Sequence, residues 1–227
     1  MRNSIERAFQ AALTDRFHFG QILVQKTNGS FVLSHRDDEV RTGLQTFRYG
    51  EDAVEIAKYD DAGNYRPLKT APNLRHGWRL ELATLPELKR ALDYFYPGRL
   101  AVFLAWKTGH LQTTELRETL LRQSGMYRVA AKIVDEQIND VVGDFCRSDG
   151  GCLRTILWKR DRGGTISSTK LPAEKFDPSH DQAAGPRSAT PVTGGTIPLL
   201  CQEPCNLLVA ECRKVVKMEG AAPSARE

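Results

Sequence analysis

The alternation of apolar and polar positions changes character twice along this chain. From Phe17 to Asp38 the sequence FHFGQILVQKTNGSFVLSHRDD holds two β-rich runs separated by Thr27-Asn28-Gly29-Ser30. Asn-Gly between such runs predicts a tight hairpin, because both turn residues must accept positive φ. Before it, Ser4 is placed to cap a short helix carrying Ile5, Ala8, Phe9 and Ala12 on one face. Glu51 to Lys58 reads as a second short helix, followed by a turn-rich stretch through Trp78. Thr84-Leu85-Pro86-Glu87 has the form of a capping box with proline in the first turn. Behind it Leu85, Leu88, Leu92 and Phe95 share one face, and Tyr96-Pro97-Gly98 ends the helix.

Beyond residue 98 the period is mostly helical. Leu100 to Trp106 is an apolar, buried element, and Leu116, Leu120 and Leu121 mark a helix stopped by Ser124-Gly125. Ala130, Val134, Ile138 and Val141 continue at helical spacing to Gly143. From about Gly163 to Pro198 the apolar pattern fades into glycine, serine, threonine and the prolines 172, 178, 186, 191 and 198. Such a composition predicts a flexible insertion over 163–198. Order returns at Leu199. A helix opened by Pro204 and ended by Gly220 is expected, with a loose tail over 219–227. The fold class predicted is α+β, with a small N-terminal α/β domain over 1–97 and a mostly helical domain over 98–218.

Composition changes this picture little. The chain of 227 residues is 41% hydrophobic and 26% charged, as expected for a soluble globular protein. Its net charge of +4 is spread rather than concentrated on one segment, so we expect no nucleic-acid partner. No apolar stretch reaches the ~18 residues of a membrane helix, and charges interrupt the N-terminal apolar runs, so we expect a cytoplasmic protein without a signal peptide or membrane partner.

Cysteine is what redirects the reading. All five lie between Cys146 and Cys212. An odd count in a reducing compartment argues against a disulfide framework and for metal or redox chemistry. Cys201, Cys205 and Cys212 form C-x3-C-x6-C, with Cys205 expected in the first helical turn and Cys212 two turns on. Two turns separate Cα atoms by roughly 10 Å, whereas thiolates sharing one zinc approach within about 4 Å. A polynuclear iron–sulfur cluster spreads its thiolates wider, so the spacing favours a cluster over zinc. A helix N-terminus also stabilises a thiolate, and Arg213, Lys214 and Lys217 are placed to offset negative charge. The fourth ligand comes from Cys152 or Cys146. Cys152 is preferred because Gly150-Gly151 lets backbone approach an inorganic core. A zinc module with four cysteine ligands stands as the alternative, and buried structural thiols as the plainer one.

The segments GDFCRSDGGCLRTILWKRD and CQEPCNLLVAEC resemble the 4Fe–4S cluster-binding domain found behind sirohydrochlorin cobalt chelatase domains, whose motif is a distant cysteine followed by C-x3-C-x6-C. YRPLKTAPNLRHGWRLEL, with LDYFYPG after it, is similar to the small stabilising domain that precedes it in those proteins. The resemblance implies a 4Fe–4S cluster held by Cys152, Cys201, Cys205 and Cys212, with Cys146 as the alternative to Cys152. It implies a role in cobalamin or related tetrapyrrole synthesis beside a sirohydrochlorin-type chelatase or a redox partner. The chelatase's paired metal-handling histidines have no counterpart, since His18, His35, His76, His110 and His180 are scattered, so no catalytic activity of its own is expected. His76, with Arg66, Lys69, Arg75 and Arg79 nearby, suggests a cationic pocket for carboxylates. A basic loop over a sheet edge is the plainer reading, and the one we favour.

Overall fold

The computed structural model describes residues 9–11, 13–123, 125–147, 151–161, 164–165 and 195–221. The chain divides into two compact units, Met1–Leu111 with Gly185–Leu200, and Gln112–Ala184 with Cys201–Glu227. The first is built on a mixed sheet. Strands β1 (Arg16–Phe19), β2 (Ile22–Thr27), β3 (Ser30–His35), β4 (Gln45–Phe47) and β5 (Trp78–Leu82) are joined by β9 (Gly195–Ile197) in the order β4-β5-β3-β2-β1-β9. The predicted hairpin closes with Thr27 opposite Ser30, and Asn28 and Gly29 take φ of 47° and 87°, the positive values that a right-handed strand twist demands of a two-residue turn.

Helices α1 (Asp52–Lys58), α2 (Leu85–Phe95) and α3 (Arg99–Lys107) belong to this unit. The Thr84 hydroxyl accepts from the Glu87 amide and the Glu87 carboxylate accepts from the Thr84 amide, which completes the capping box. Leu88, Ala91, Leu92 and Phe95 face the core, where Phe95 stacks on Trp78 with centroids 5.1 Å apart. The sequence reading placed α3 in the second domain; the structure groups it with the first. Buried Tyr96 ties this junction to the sheet, its hydroxyl accepting from the Gln21 amide at 2.8 Å.

The second unit is mostly helical. It contains α4 (Leu116–Arg122), a 3-10 stretch over Gly125–Lys132, α5 (Asp135–Val142), a π turn over Gly143–Arg147, and α6 (Asn206–Ala221). Arg117 donates to the Ala131 and Ile133 carbonyls and to Asp135, which fastens the 3-10 stretch to the start of α5. Short pieces of strand follow the π turn: β6 (Thr155–Ile156), then β7 (Lys159–Asp161), which pairs with β8 (Gly164–Thr165). Leu120, Ile138, Val142, Trp158, Leu208 and Cys212 are among the residues of one apolar core.

Two expectations are corrected. Residues 195–197, assigned to a flexible insertion, are a strand that pairs in parallel with β1. The last helix starts at Asn206, two residues after Pro204, and runs through Gly220 to Ala221, so the tail cannot begin at 219. Most of the 163–198 insertion and residues 222–227 lie outside the described residues, as do Ser4, Ile5, Ala8 and Ala12 of the N-terminal helix, of which a helical turn at 9–11 is seen.

Candidate metal centre

Four of the five cysteines converge on one small pocket in the second unit. The π turn after α5 carries Cys146. Extra-wide turns of this kind recur at functional sites because they re-aim side chains without ending the helix. The Cys152 amide donates to the Cys146 carbonyl at 3.2 Å, folding the two cysteines against each other. An extended run then leads from Cys152 to Trp158, and the Leu157 amide donates to the Cys201 carbonyl at 2.9 Å. Cys205 precedes the first residue of α6, its carbonyl accepting from Val209 at 3.1 Å, so it caps the helix from the incoming loop. Cys146, Cys152, Cys201 and Cys205 all line the pocket. Phe145, Ile156, Trp158, Pro204 and Leu208 form its apolar wall, and among the described residues Arg154 supplies its one charge.

The polar contacts are aimed at sulfur. Arg154 Nε donates to Cys152 Sγ at 3.1 Å, and Trp158 Nε1 donates to Cys201 Sγ at 3.3 Å. The Cys201 thiol also donates to the Glu203 carbonyl. Burial pushes the Cys146 thiol well above its ordinary range, and the neighbouring thiols of Cys152, Cys201 and Cys205 add to the effect. Burial likewise raises Cys201, against the pull of Arg154 and the Trp158 hydrogen bond. Arg154 shows the reverse balance. Burial disfavours its charge, yet Cys201, Cys152 and Cys205 outweigh that and hold it charged.

These residues fit a thiolate-ligated centre. Among the described residues the lining offers four soft sulfur donors and no histidine or carboxylate, a set suited to iron–sulfur clusters or zinc rather than hard cations. Metal must expel the thiol protons to bind, since only the thiolate ligates. The guanidinium of Arg154 favours the deprotonated form of Cys201.

Cys212 is placed differently from the sequence expectation. It is fully buried in the apolar core and does not line the pocket. Burial pushes its thiol up to about 11, and the charges acting on it are Arg117 and Glu211 rather than another cysteine. The reason is local. With Cys205 standing outside the helix as its cap, Leu208 occupies the first inward position beside the pocket, and Cys212 lies one turn deeper. The argument against zinc from a two-turn helical pair therefore lapses. Cys146 and Cys152 both line the pocket. Of the glycine pair, Gly151 is buried and Gly150 lies outside the described residues.

Arg154 and Trp158 escaped the sequence reading, although a signal was present. Cys152, Arg154, Ile156 and Trp158 recur every second residue, the period that puts side chains of an extended chain on one face, and all four line the pocket. The basic residues proposed to offset charge do not: Lys214 pairs with Glu211 at 2.7 Å on the exposed side of α6.

The cationic cluster around His76 is a set of structural contacts. Arg66 is buried and donates to Asn73 and to the Ala57, Lys69 and Ala71 carbonyls. His76 lies between carboxylates, 3.4 Å from Asp38 and 3.7 Å from Asp61, which suits no anion. Its ring packs on His35 with centroids 3.8 Å apart. Candidate ligand atoms of His35, Asp37 and His76 lie within 4.8 Å of one another. His35 Nδ1 accepts from the Asp37 amide at 3.2 Å and its Nε2 contacts the Gln21 side-chain amide at 3.1 Å, so both ring nitrogens are already engaged.

Residues 108–214 match the family described as 4Fe-4S iron-sulfur cluster binding domain, and residues 5–108 the family described as DR2241 stabilising domain. The crystal structure of DR2241 from Deinococcus radiodurans, described as a multi-domain protein with structural similarity to chelatases and two additional novel domains, is similar with a TM-score of 0.73 and 26% identity. The similarity covers 95% of this chain and 42% of that one, so this chain spans less than half of its length. No curated protein matches. Among the described residues no helix is long and apolar enough to cross a membrane.

Proposed function

We propose that Cys146, Cys152, Cys201 and Cys205 are the four ligands of a 4Fe–4S cluster, since residues 108–214 match the 4Fe-4S iron-sulfur cluster binding domain family and residues 5–108 the DR2241 stabilising domain family. The observation that carries this set is their convergence on one apolar pocket whose lining includes all four and not Cys212. The cluster supplies one-electron chemistry when bound; the chain supplies four thiolates, a dry wall and a cationic neighbour. An odd number of cysteines gathered between Cys146 and Cys212 supports work in a reducing compartment, the cytoplasm.

The cluster serves metal insertion into a tetrapyrrole, in cobalamin or related synthesis, beside a chelatase-like module. The support for this is the chelatase similarity named for DR2241, with which nearly the whole chain aligns. In that setting the cluster either passes electrons to the chelatase or staples the domain that docks to it. Anaerobic purification followed by iron, zinc and acid-labile sulfide analysis tests the cluster. A colourless protein with stoichiometric zinc sinks it and leaves a four-thiolate zinc module. Mixing the loaded protein with a sirohydrochlorin-type chelatase tests the partnership. We expect co-elution and a changed rate of cobalt insertion, and the absence of both rejects it.

A further inference from the structure

We infer that Arg154 and Trp158 are positioning residues that set the reduction potential of the centre, by donating N–H groups to two of its ligand sulfurs. The inference rests on the ligand set proposed above. Its observations are separate ones: Arg154 Nε stands 3.1 Å from Cys152 Sγ, and Trp158 Nε1 stands 3.3 Å from Cys201 Sγ.

Four thiolates give an iron–sulfur centre net negative charge, and reduction adds one more electron. A hydrogen bond to a ligand sulfur draws charge away from the metal and makes that electron easier to accept. A nearby cation acts in the same direction. The field of Arg154 is weakly screened because the wall around it is Phe145, Ile156, Trp158, Pro204 and Leu208. Among the described residues no carboxylate lines the pocket to cancel it.

The geometry is also economical. Arg154 and Trp158 alternate with Thr155 and Leu157, and both line the pocket together with Cys152. Trp158 is fully buried, and its indole N–H has a thiol as its partner rather than a carbonyl. A buried indole N–H needs an acceptor, and here the acceptor is a ligand atom. The two donors go to different cysteines, which makes the sulfur environment asymmetric.

The test is a mediated redox titration of the full chain, loaded with iron and sulfide, for wild type, Arg154→Gln, Arg154→Lys and Trp158→Phe. Iron and sulfide content is measured first. Wild type that takes up neither fails the cluster reading itself, independently of these two residues. With wild type loaded, we expect Arg154→Gln to shift the oxidised-to-reduced ratio at fixed potential at least tenfold toward oxidised, which is about 59 mV for one electron. Arg154→Lys should restore most of that shift, and Trp158→Phe should move the ratio severalfold in the same direction. Loaded Arg154→Gln and Trp158→Phe proteins at the wild-type midpoint overturn the inference, as does a wild-type cluster that dithionite cannot reduce. If Arg154→Gln takes up no iron, Trp158→Phe decides alone: a lowered midpoint upholds the role, and an unchanged one overturns it.

Discussion

Acid should weaken the first unit through one residue, His35. Its side chain ends β3 with no solvent exposure, packed against the His76 ring and next to Gln21. Burial, helped by His76 and Arg36 and opposed by Asp37 and Asp38, lowers its pKa from 6.5 to about 4. The folded protein therefore keeps His35 neutral in a range where the unfolded chain protonates it. Stability rises with pH wherever the unfolded state binds more protons, so this contribution is complete above pH 6.5 and is lost as pH falls toward 4. A difference of 2.5 units, 6.5 minus 4, at 1.36 kcal/mol per unit corresponds to about 3 kcal/mol. Replacing His35 with Gln removes the titration, at some cost in absolute stability. Hydrogen exchange of the β2 and β3 amides, corrected for intrinsic rate, should show wild type losing about 3 kcal/mol more than His35→Gln between pH 6.5 and pH 4. Parallel losses in the two proteins would refute the reasoning, since every other titrating group is shared.

Two further outcomes follow from packing. Cys212→Ser puts a hydroxyl into the apolar core and should cost about 1–3 kcal/mol in urea unfolding, with Cys212→Ala costing less than Ser if the site is a core position. Tyr96→Phe leaves the buried Gln21 amide without its 2.8 Å acceptor and should destabilise the first unit by about 1–3 kcal/mol. A thermal midpoint equal to wild type would show that another group satisfies that amide.

What was legible in the sequence was local. The capping box at Thr84 and the Asn28-Gly29 turn are each decided by residues within a few positions, and both form as read. Strand β9 was hidden because its identity depends on β1, far away in the sequence, while its own neighbourhood of glycine, threonine and proline predicts no strand. The same limit acted on the site. Cysteine content and the C-x3-C pair were visible, but which side of α6 faces the pocket depends on a helix start two residues later than Pro204 suggests. That displacement makes Cys205 a cap and sends Cys212 to the core, while Cys146 reaches the pocket from a π turn that no periodicity announces.

The ligand set is tested most directly by iron and acid-labile sulfide per chain in Cys146→Ser and Cys212→Ser, prepared anaerobically beside wild type. A loss of most of the cluster in Cys146→Ser with wild-type content in Cys212→Ser is the result expected from the four-thiol pocket. Full content in Cys146→Ser with loss in Cys212→Ser would contradict it.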